Sequence, residues 1–472
     1  MSWRVIKQAF SNPDMRKRIF IVIGLLIVFR FLAHVPIPLA EPTQLRQLLN
    51  SLFDSQQLLG FLDLISGGAL SNFSIMLMGL GPYINASIIM QLLSKAIPRL
   101  EAINKEGEQG RRKINQYTRI LALPLAVMQS IGLIFLIRQQ ATAVSGVDIT
   151  AGADITQWIL MVATLTGGSM LLMWIGELMS EQGVGNGISL LIFAGIVSQL
   201  PSIVGTLINS VVGAGAQFTL FGRFVIPVNG RGALFVLGLT ILSLIMVYLV
   251  VKLNEAQRIL TVSYAKRVRG NRAYGGVDTV LPIKLITAGV IPVIFASAFL
   301  AIPAFLGQLL INANSESLVT LGQNLIDWFS LPGSTEASAQ SVNWIYNGVY
   351  FGLVVLFTYF YTSIMFDSKE IAENLQKQGG FIAGIRPGIQ TENYLRRVVT
   401  RLTLFGSISL GLLAISPFLI DAVVIALNLS ATPISTQLSL GGTGLLIVVS
   451  VALETLRQIE SRSMMISYDT PE

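Results

Sequence analysis

The sequence has no cysteine, a single histidine and, at 12% Asp, Glu, Lys and Arg, about half the charge of an ordinary soluble domain. Without cysteine it forms no disulfide, offers no thiolate and builds no Cys-based metal centre. His34 is the sole histidine, so no H-E-x-x-H pair is present. No G-x-x-x-x-G-K-[ST] loop is present, so ATP hydrolysis by that route is excluded. No carboxylate pair sits in the middle of a hydrophobic run, which leaves proton-coupled transport and intramembrane hydrolysis without visible machinery. The chain is therefore expected not to be an enzyme and to need no cofactor. The opening MSWRVIKQAFSNPDMRKR lacks an apolar core with a cleavage site and reads as a basic N-terminal segment, 1–18, with an amphipathic surface-helix character.

Long hydrophobic runs are what the chain does have. Hydrophobic residues make up 53% of its 472 positions, and its mean hydropathy is +0.68. A spanning helix needs about 20 mainly apolar residues. Such runs occur near 19–38, 74–97, 120–138, 157–176, 187–212, 233–253, 285–306, 344–366, 402–420 and 439–456, predicting an all-α integral membrane protein with ten transmembrane helices. Lys and Arg accumulate on the cytoplasmic side of membrane proteins. Here they cluster at the N-terminus (Arg4, Lys7, Arg16, Lys17, Arg18), between Lys95 and Arg119, between Lys252 and Lys284, and between Lys369 and Arg401, with two, four and two runs between successive groups. The intervening connections 139–156, 307–343 and 421–438 contain neither residue. Both termini are thus expected to be cytoplasmic.

One hydrophobic stretch is interrupted. Residues 60–93 are too long for one span and are broken at Gly67-Gly68 and again at Gly81-Pro82. Lipid cannot satisfy free backbone N–H and C=O groups, so a break at membrane depth must pack inside protein or face a water-filled cavity. The segment points to a pore or substrate site. Charged side chains inside the runs are few. Arg30 lies near the outer end of the first run, where it can snorkel or pair, and His34 beside Pro36 and Pro38 reads as an interfacial hydrogen-bonded residue. Glu177 closes the fourth run. Leu80 and Ile84 share one helix face around the Gly81-Pro82 break, and Ile188 and Ile192 repeat the spacing after GVGNG. Such stripes are packing surfaces, lipid contacts or a hydrophobic constriction that seals a pore by dewetting. Between Lys252 and Lys284, seven cations oppose only Glu255 and Asp278. That surplus suits either attraction to anionic lipid or docking of an acidic or polyanionic partner through phosphate contacts.

Several strings carry a resemblance that covers nearly the whole chain: IVFRFLAHVPIP (27–38), SGGALSNFSIMLMGLGPYINASIIMQLL (66–93), KEGEQGRRKINQYTR (105–119), MWIGELMSEQGVGNGISLLIFAGI (173–196), AGVIPVIFAS (288–297), GGFIAGIRPGIQT (379–391) and GGTGLLIVV (441–449). They resemble the SecY family, the channel subunits of the bacterial-type Sec protein translocase. The resemblance implies two pseudo-symmetric five-helix halves, 19–212 and 213–456, with basic cytoplasmic loops at about 252–284 and 367–401 and a cytoplasmic tail at 457–472.

It further implies a re-entrant plug helix over about 60–73, including Leu64, Ser66, Gly67, Gly68 and Leu70, and a pore ring of Leu80, Ile84, Ile188, Ile192, Ile294 and Ile447. A lateral gate would open between the second and third runs on one side and the seventh and eighth on the other, near Gln129 and Asn186. At Ile286 relatives often have Asn, which leaves Thr287 as the substitute for a gate hydrogen bond. Lys266, Arg267, Arg269 and Arg386 would dock the ribosome or the motor ATPase SecA. The implied partners are SecE, SecG, SecA, the ribosome, signal sequences, nascent membrane proteins and lipid. The implied location is the inner (plasma) membrane, or a thylakoid membrane where the source has one.

Overall fold

The computed structural model describes residues 10–37, 68–69, 73–145, 154–212, 218–220, 224–226, 230–264, 267–269, 272–274, 278–311, 315–329, 344–426 and 435–469. A helix lies over each of the ten apolar runs: α1 (Pro13–Leu32), α2 (Gly81–Ala96), α4 (Glu108–Ser145), α5 (Ile155–Gln182), α6 (Gly187–Val212), α7 (Gly230–Glu255), α8 (Ile291–Leu310), α10 (Trp344–Met365), α12 (Ile389–Ala426) and α13 (Ser435–Asp469). Among the described residues, five stretches are long and apolar enough to cross a membrane: Glu108–Phe135, Ile155–Gln182, Val236–Glu255, Trp344–Lys377 and Ile389–Ile420. Gly187–Pro201 and Ile291–Leu300 are shorter apolar helices. Large side chains such as Phe20, Ile120, Leu244 and Phe405 are exposed, which suits a lipid-facing surface.

The second apolar run is not helical throughout. Residues 73–80 form turns, because Phe73 (φ 45°) and Gly79 (φ 56°) adopt left-handed backbone and Pro82 occupies the first turn of α2. The polar backbone of this segment is satisfied inside the protein. Ile37 N–H donates to Phe73 O (3.0 Å), Ile75 N–H to Val35 O (3.0 Å) and Ser74 N–H to Ala69 O (2.9 Å). The Ser169 hydroxyl of α5 reaches Gly79 O at 3.2 Å. Close approach to α5 depends on Gly168, where a Cβ would stand 2.8 Å from the Ile75 carbonyl carbon.

Among the described residues there are three shorter helices: α3 (Pro98–Lys105), α9 (Glu316–Phe329) and α11 (Ser368–Lys377). Within the connection at 307–343, α9 packs on α8 through Gly307 and Gly322. Each glycine lets the other's carbonyl oxygen approach to within 2.8 Å of the position a Cβ would take.

The basic loop after α7 folds as β-structure. Strands β3 (Gln257–Tyr264), β6 (Asp278–Lys284) and β7 (Gly380–Ile382) make an antiparallel sheet in the order β6-β3-β7, while β4 (Arg267–Arg269) pairs with β5 (Arg272–Tyr274). A further short pair joins β1 (Phe218–Leu220) to β2 (Phe224–Ile226). The sheet has its own apolar core of Leu260, Val262, Ile283, Ile382, Leu395, Val398 and Val399.

Candidate functional site

The six aliphatic side chains singled out from the sequence come together. Leu80, Ile84, Ile192 and Ile447 are buried members of one hydrophobic cluster, and Ile188 and Ile294 are partly buried against it. They reach it from α2, α6, α8 and α13. Five of the six stand at a helix start. Leu80 caps α2 and Ile84 lies in its first turn, Ile188 and Ile192 fall in the opening two turns of α6, and Ile294 lies in the first turn of α8.

The starts of α2 and α8 have the same local geometry. Gly79 (φ 56°), Leu80 (φ −88°, ψ 0°), Gly81 and Pro82 correspond to Gly289 (φ 64°), Val290 (φ −90°, ψ −9°), Ile291 and Pro292. In each case a left-handed glycine turns the chain, an apolar residue takes the cap position, and proline replaces an N–H that would have no helical acceptor. Ile84 and Ile294 are thereby equivalent, and so are Leu80 and Val290. Val290 is 3% exposed and belongs to the same cluster. It was not singled out from the sequence, although the repeated G-x-x-P spacing carries the signal.

On the basic face, the β-sheet brings the two cation-bearing loops together. Val262 pairs with Ile382, Ser263 with Phe381 and Tyr264 with Gly380, so the strand that leads toward Arg267 lies beside the one that leads into Arg386. The Arg386 turn is held by left-handed Gly384 (φ 81°) and Gly388 (φ 99°), by Ile385 N–H to Ile382 O (3.0 Å), and by the Thr391 hydroxyl donating to Arg386 O (2.9 Å). Arg386 is exposed, and its guanidinium has no partner among the described residues. In the β4–β5 hairpin, Arg269 stands directly opposite Arg272. Lys266 lies outside the described residues. On the same face, the Arg119 guanidinium grips Glu177 in two places, Nε at 2.7 Å and an NH2 group at 2.6 Å, tying α4 to α5.

A family model described as SecY matches residues 74–456. The chain is 40% identical to the protein translocase subunit SecY of Corynebacterium glutamicum over 98% of both chains, and 39% identical to that of Mycobacterium bovis with the same coverage. The chain belongs to the SecY family. Among solved structures, a SecY whose plug domain stabilises the closed state of the translocation channel covers 95% of this chain and 91% of its own, with a TM-score of 0.59 at 20% identity. A protein-conducting channel matches at 0.56 and 18% identity, covering 93% and 91%. Canine Sec61 in a ribosome–channel complex matches at 0.53 and 18%, with the same coverage. The fold is that of SecY and Sec61 channels.

The remaining residues expected from the SecY resemblance fall as follows. Of the plug positions, Leu64, Ser66, Gly67 and Leu70 lie outside the described residues; Gly68 has φ 83°, and its neighbour Ala69 is fully buried in the cluster that holds the six aliphatics. Helix α8 packs against both α2 and α4. Gln129 of α4 is half-buried, with its Oε1 3.9 Å from the point where a Gly81 Cβ would stand, beside the start of α2. Asn186 is exposed and caps α6, accepting from Ile188 N–H (3.1 Å) and Ser189 N–H (3.4 Å). The Thr287 hydroxyl donates to Lys284 O at 3.1 Å within its own turn. Ile286 is buried and packs near Gly406 of α12. His34 donates from Nδ1 to Arg30 O at 2.8 Å, a local structural contact.

Proposed function

We propose that this chain is the central pore-forming subunit of a Sec translocase, conducting unfolded, signal-bearing polypeptides across the membrane and releasing hydrophobic segments sideways into lipid. The observation that carries the reading is the convergence of Leu80, Ile84, Ile188, Ile192, Ile294 and Ile447 on one cluster, five of them at helix starts. Flexible aliphatic side chains have no fixed hydrogen-bond geometry, so a ring of them closes by dewetting and yields to any peptide sequence. Val290 joins the seal as the counterpart of Leu80.

In this reading the segment at about 60–73 is the plug, and the halves 19–212 and 213–456 part along the contacts of α8 with α2 and α4. Gln129 borders that gate. Asn186 serves it indirectly, by fixing the start of α6, and Thr287 sits in the turn before α8. The basic face is cytoplasmic, as are both termini, and the membrane is the inner membrane of the cell. There Arg386 and the hairpin of Arg267 and Arg269, with Lys266 beside it, receive SecA or the ribosome, whose channel complexes include a structural neighbour. Energy comes from the partner or the membrane potential. SecE and SecG complete the complex. Purified vesicles should take up a signal-bearing polypeptide and not a small labelled solute, and SecE- and SecG-like small subunits should co-purify. Solute uptake without polypeptide transport would reject the reading.

A further inference from the structure

A cavity of about 340 Å³ opens at the basic-face end of α10, between α10, the start of α11 and α12. Its charged wall is mixed, formed by Asp367, Lys369 and Arg396. Its other polar side chains are the hydroxyls of Tyr359, Thr362, Ser363, Ser368, Thr400 and Thr403, and four of these have their protons already committed. Thr362 donates to Thr358 O (2.7 Å), Ser363 to Phe360 O (2.6 Å), Thr400 to Arg396 O (2.8 Å) and Thr403 to Val399 O (2.9 Å). A hydroxyl has one proton and two lone pairs, so each of these offers the cavity only acceptors. Asp367 accepts the N–H groups of Lys369 (2.9 Å) and Glu370 (3.2 Å) through one oxygen, leaving the other uncommitted. Lys105 is near enough to feel the Asp367 charge but is itself paired with Glu101 at 2.9 Å. Arg396 is pinned by Glu392 at 2.6 Å through one terminal nitrogen and keeps further N–H donors.

We infer that this cavity binds the headgroup of an aminophospholipid, with the primary ammonium on Asp367 and the hydroxyl acceptors and the phosphate on Lys369 and Arg396. The ligand must carry a cation with N–H donors and an anion a few ångströms apart, which phosphoethanolamine does. A lipid is favoured over a free phosphoethanolamine because the same helix faces continue as exposed apolar surface one turn deeper. Leu356 lies three residues before Tyr359 of the cavity and is 58% exposed, and Leu404 lies four residues after Thr400 and is 46% exposed. Acyl chains would lie on both.

The test is retention of defined phospholipids by the purified protein, read by native mass spectrometry. Phosphatidylethanolamine should be held well above phosphatidylcholine, whose quaternary ammonium has no N–H to donate. Asp367→Asn keeps the cap on α11 but removes the charge. It should lower phosphatidylethanolamine retention about tenfold, the loss expected for one charged hydrogen bond, and leave phosphatidylglycerol unchanged. Thr400→Val, on an exposed position of α12, should lower it in the same direction by a smaller factor. Glycerophosphoethanolamine should compete only at millimolar concentration. Equal retention of the ethanolamine and choline lipids, indifference to Asp367→Asn, or equal potency of the soluble headgroup would each overturn the assignment.

Discussion

Gly167 and Gly168 stand side by side in α5 and give a controlled test of how the proposed seal is held. A Cβ on Gly168 would stand 2.8 Å from the carbonyl carbon of Ile75 and closer still to its oxygen, whereas a Cβ on Gly167 meets nothing within 4 Å. Non-bonded carbons rest at about 3.5–4.0 Å, so Gly168→Ala must drive the 73–80 segment away from α5 by about 1 Å. That movement stretches the Ser169–Gly79 hydrogen bond, now 3.2 Å, which costs about 1 kcal/mol, and overpacking of this kind costs a further 1–3 kcal/mol or so. Both substitutions raise helix propensity by a similar amount, about 1 kcal/mol, so their difference isolates the clash. Because the displaced segment runs straight into Leu80, the effect should appear as ion leak in planar bilayers and as lost thermal stability in detergent. Gly168→Ala should be leaky and less stable while Gly167→Ala resembles the parent. Equal behaviour of the two would refute the claim that the non-helical segment is seated on α5 and positions the seal.

Three further outcomes follow from the same geometry. Ile84→Asn and Ile447→Asn should hydrate the constriction, raising resting conductance and admitting substrates with defective signals, while Leu80→Ile, which conserves volume, should cost less than about 1.5 kcal/mol and change neither readout. Arg386→Glu should weaken ribosome or SecA binding by about 2 kcal/mol or more, roughly 30-fold, and Arg272→Glu by much less, measured as affinity at low and moderate salt. Asn186→Ala should cost about 1 kcal/mol by removing the α6 cap, visible as a lower melting temperature, and Asn186→Asp should be tolerated because an aspartate caps as well.

Much of this was legible in the sequence because a bilayer leaves so few choices. Ten apolar runs and an alternating Lys/Arg pattern suffice to lay out the helices, and the four-residue spacing of Leu80 with Ile84 and of Ile188 with Ile192 places each pair on one face. The glycine and proline breaks call for backbone packed inside protein or facing water, and at the 73–80 turns every quoted backbone group is satisfied inside protein. What hydropathy could not give is where helix ends and turn begins: residues 74–80 are as apolar as the helix they precede, and only the φ angles of Phe73 and Gly79 separate them. Amphipathic α9 was hidden by polar residues along its sequence and is fixed by the Gly307–Gly322 contact. The β3–β7 pairing joins residues more than a hundred positions apart, a register that local pattern does not encode. Asn186 shows the opposite case, since Asn ahead of an apolar run is a cap signal that the family frame drew toward the gate.

The native absence of cysteine makes the central claim directly measurable, because any cysteine introduced is unique. Single cysteines at Leu80, Ile84, Ile188, Ile192, Ile294 and Ile447, and at lipid-facing Ile120 and Leu244, would be tested for disulfide formation with one cysteine in a polypeptide stalled during translocation. The account predicts cross-links at all six cluster positions and none at the two exposed ones. Cross-linking that is absent at the six, or no stronger there than at Ile120 and Leu244, would contradict it.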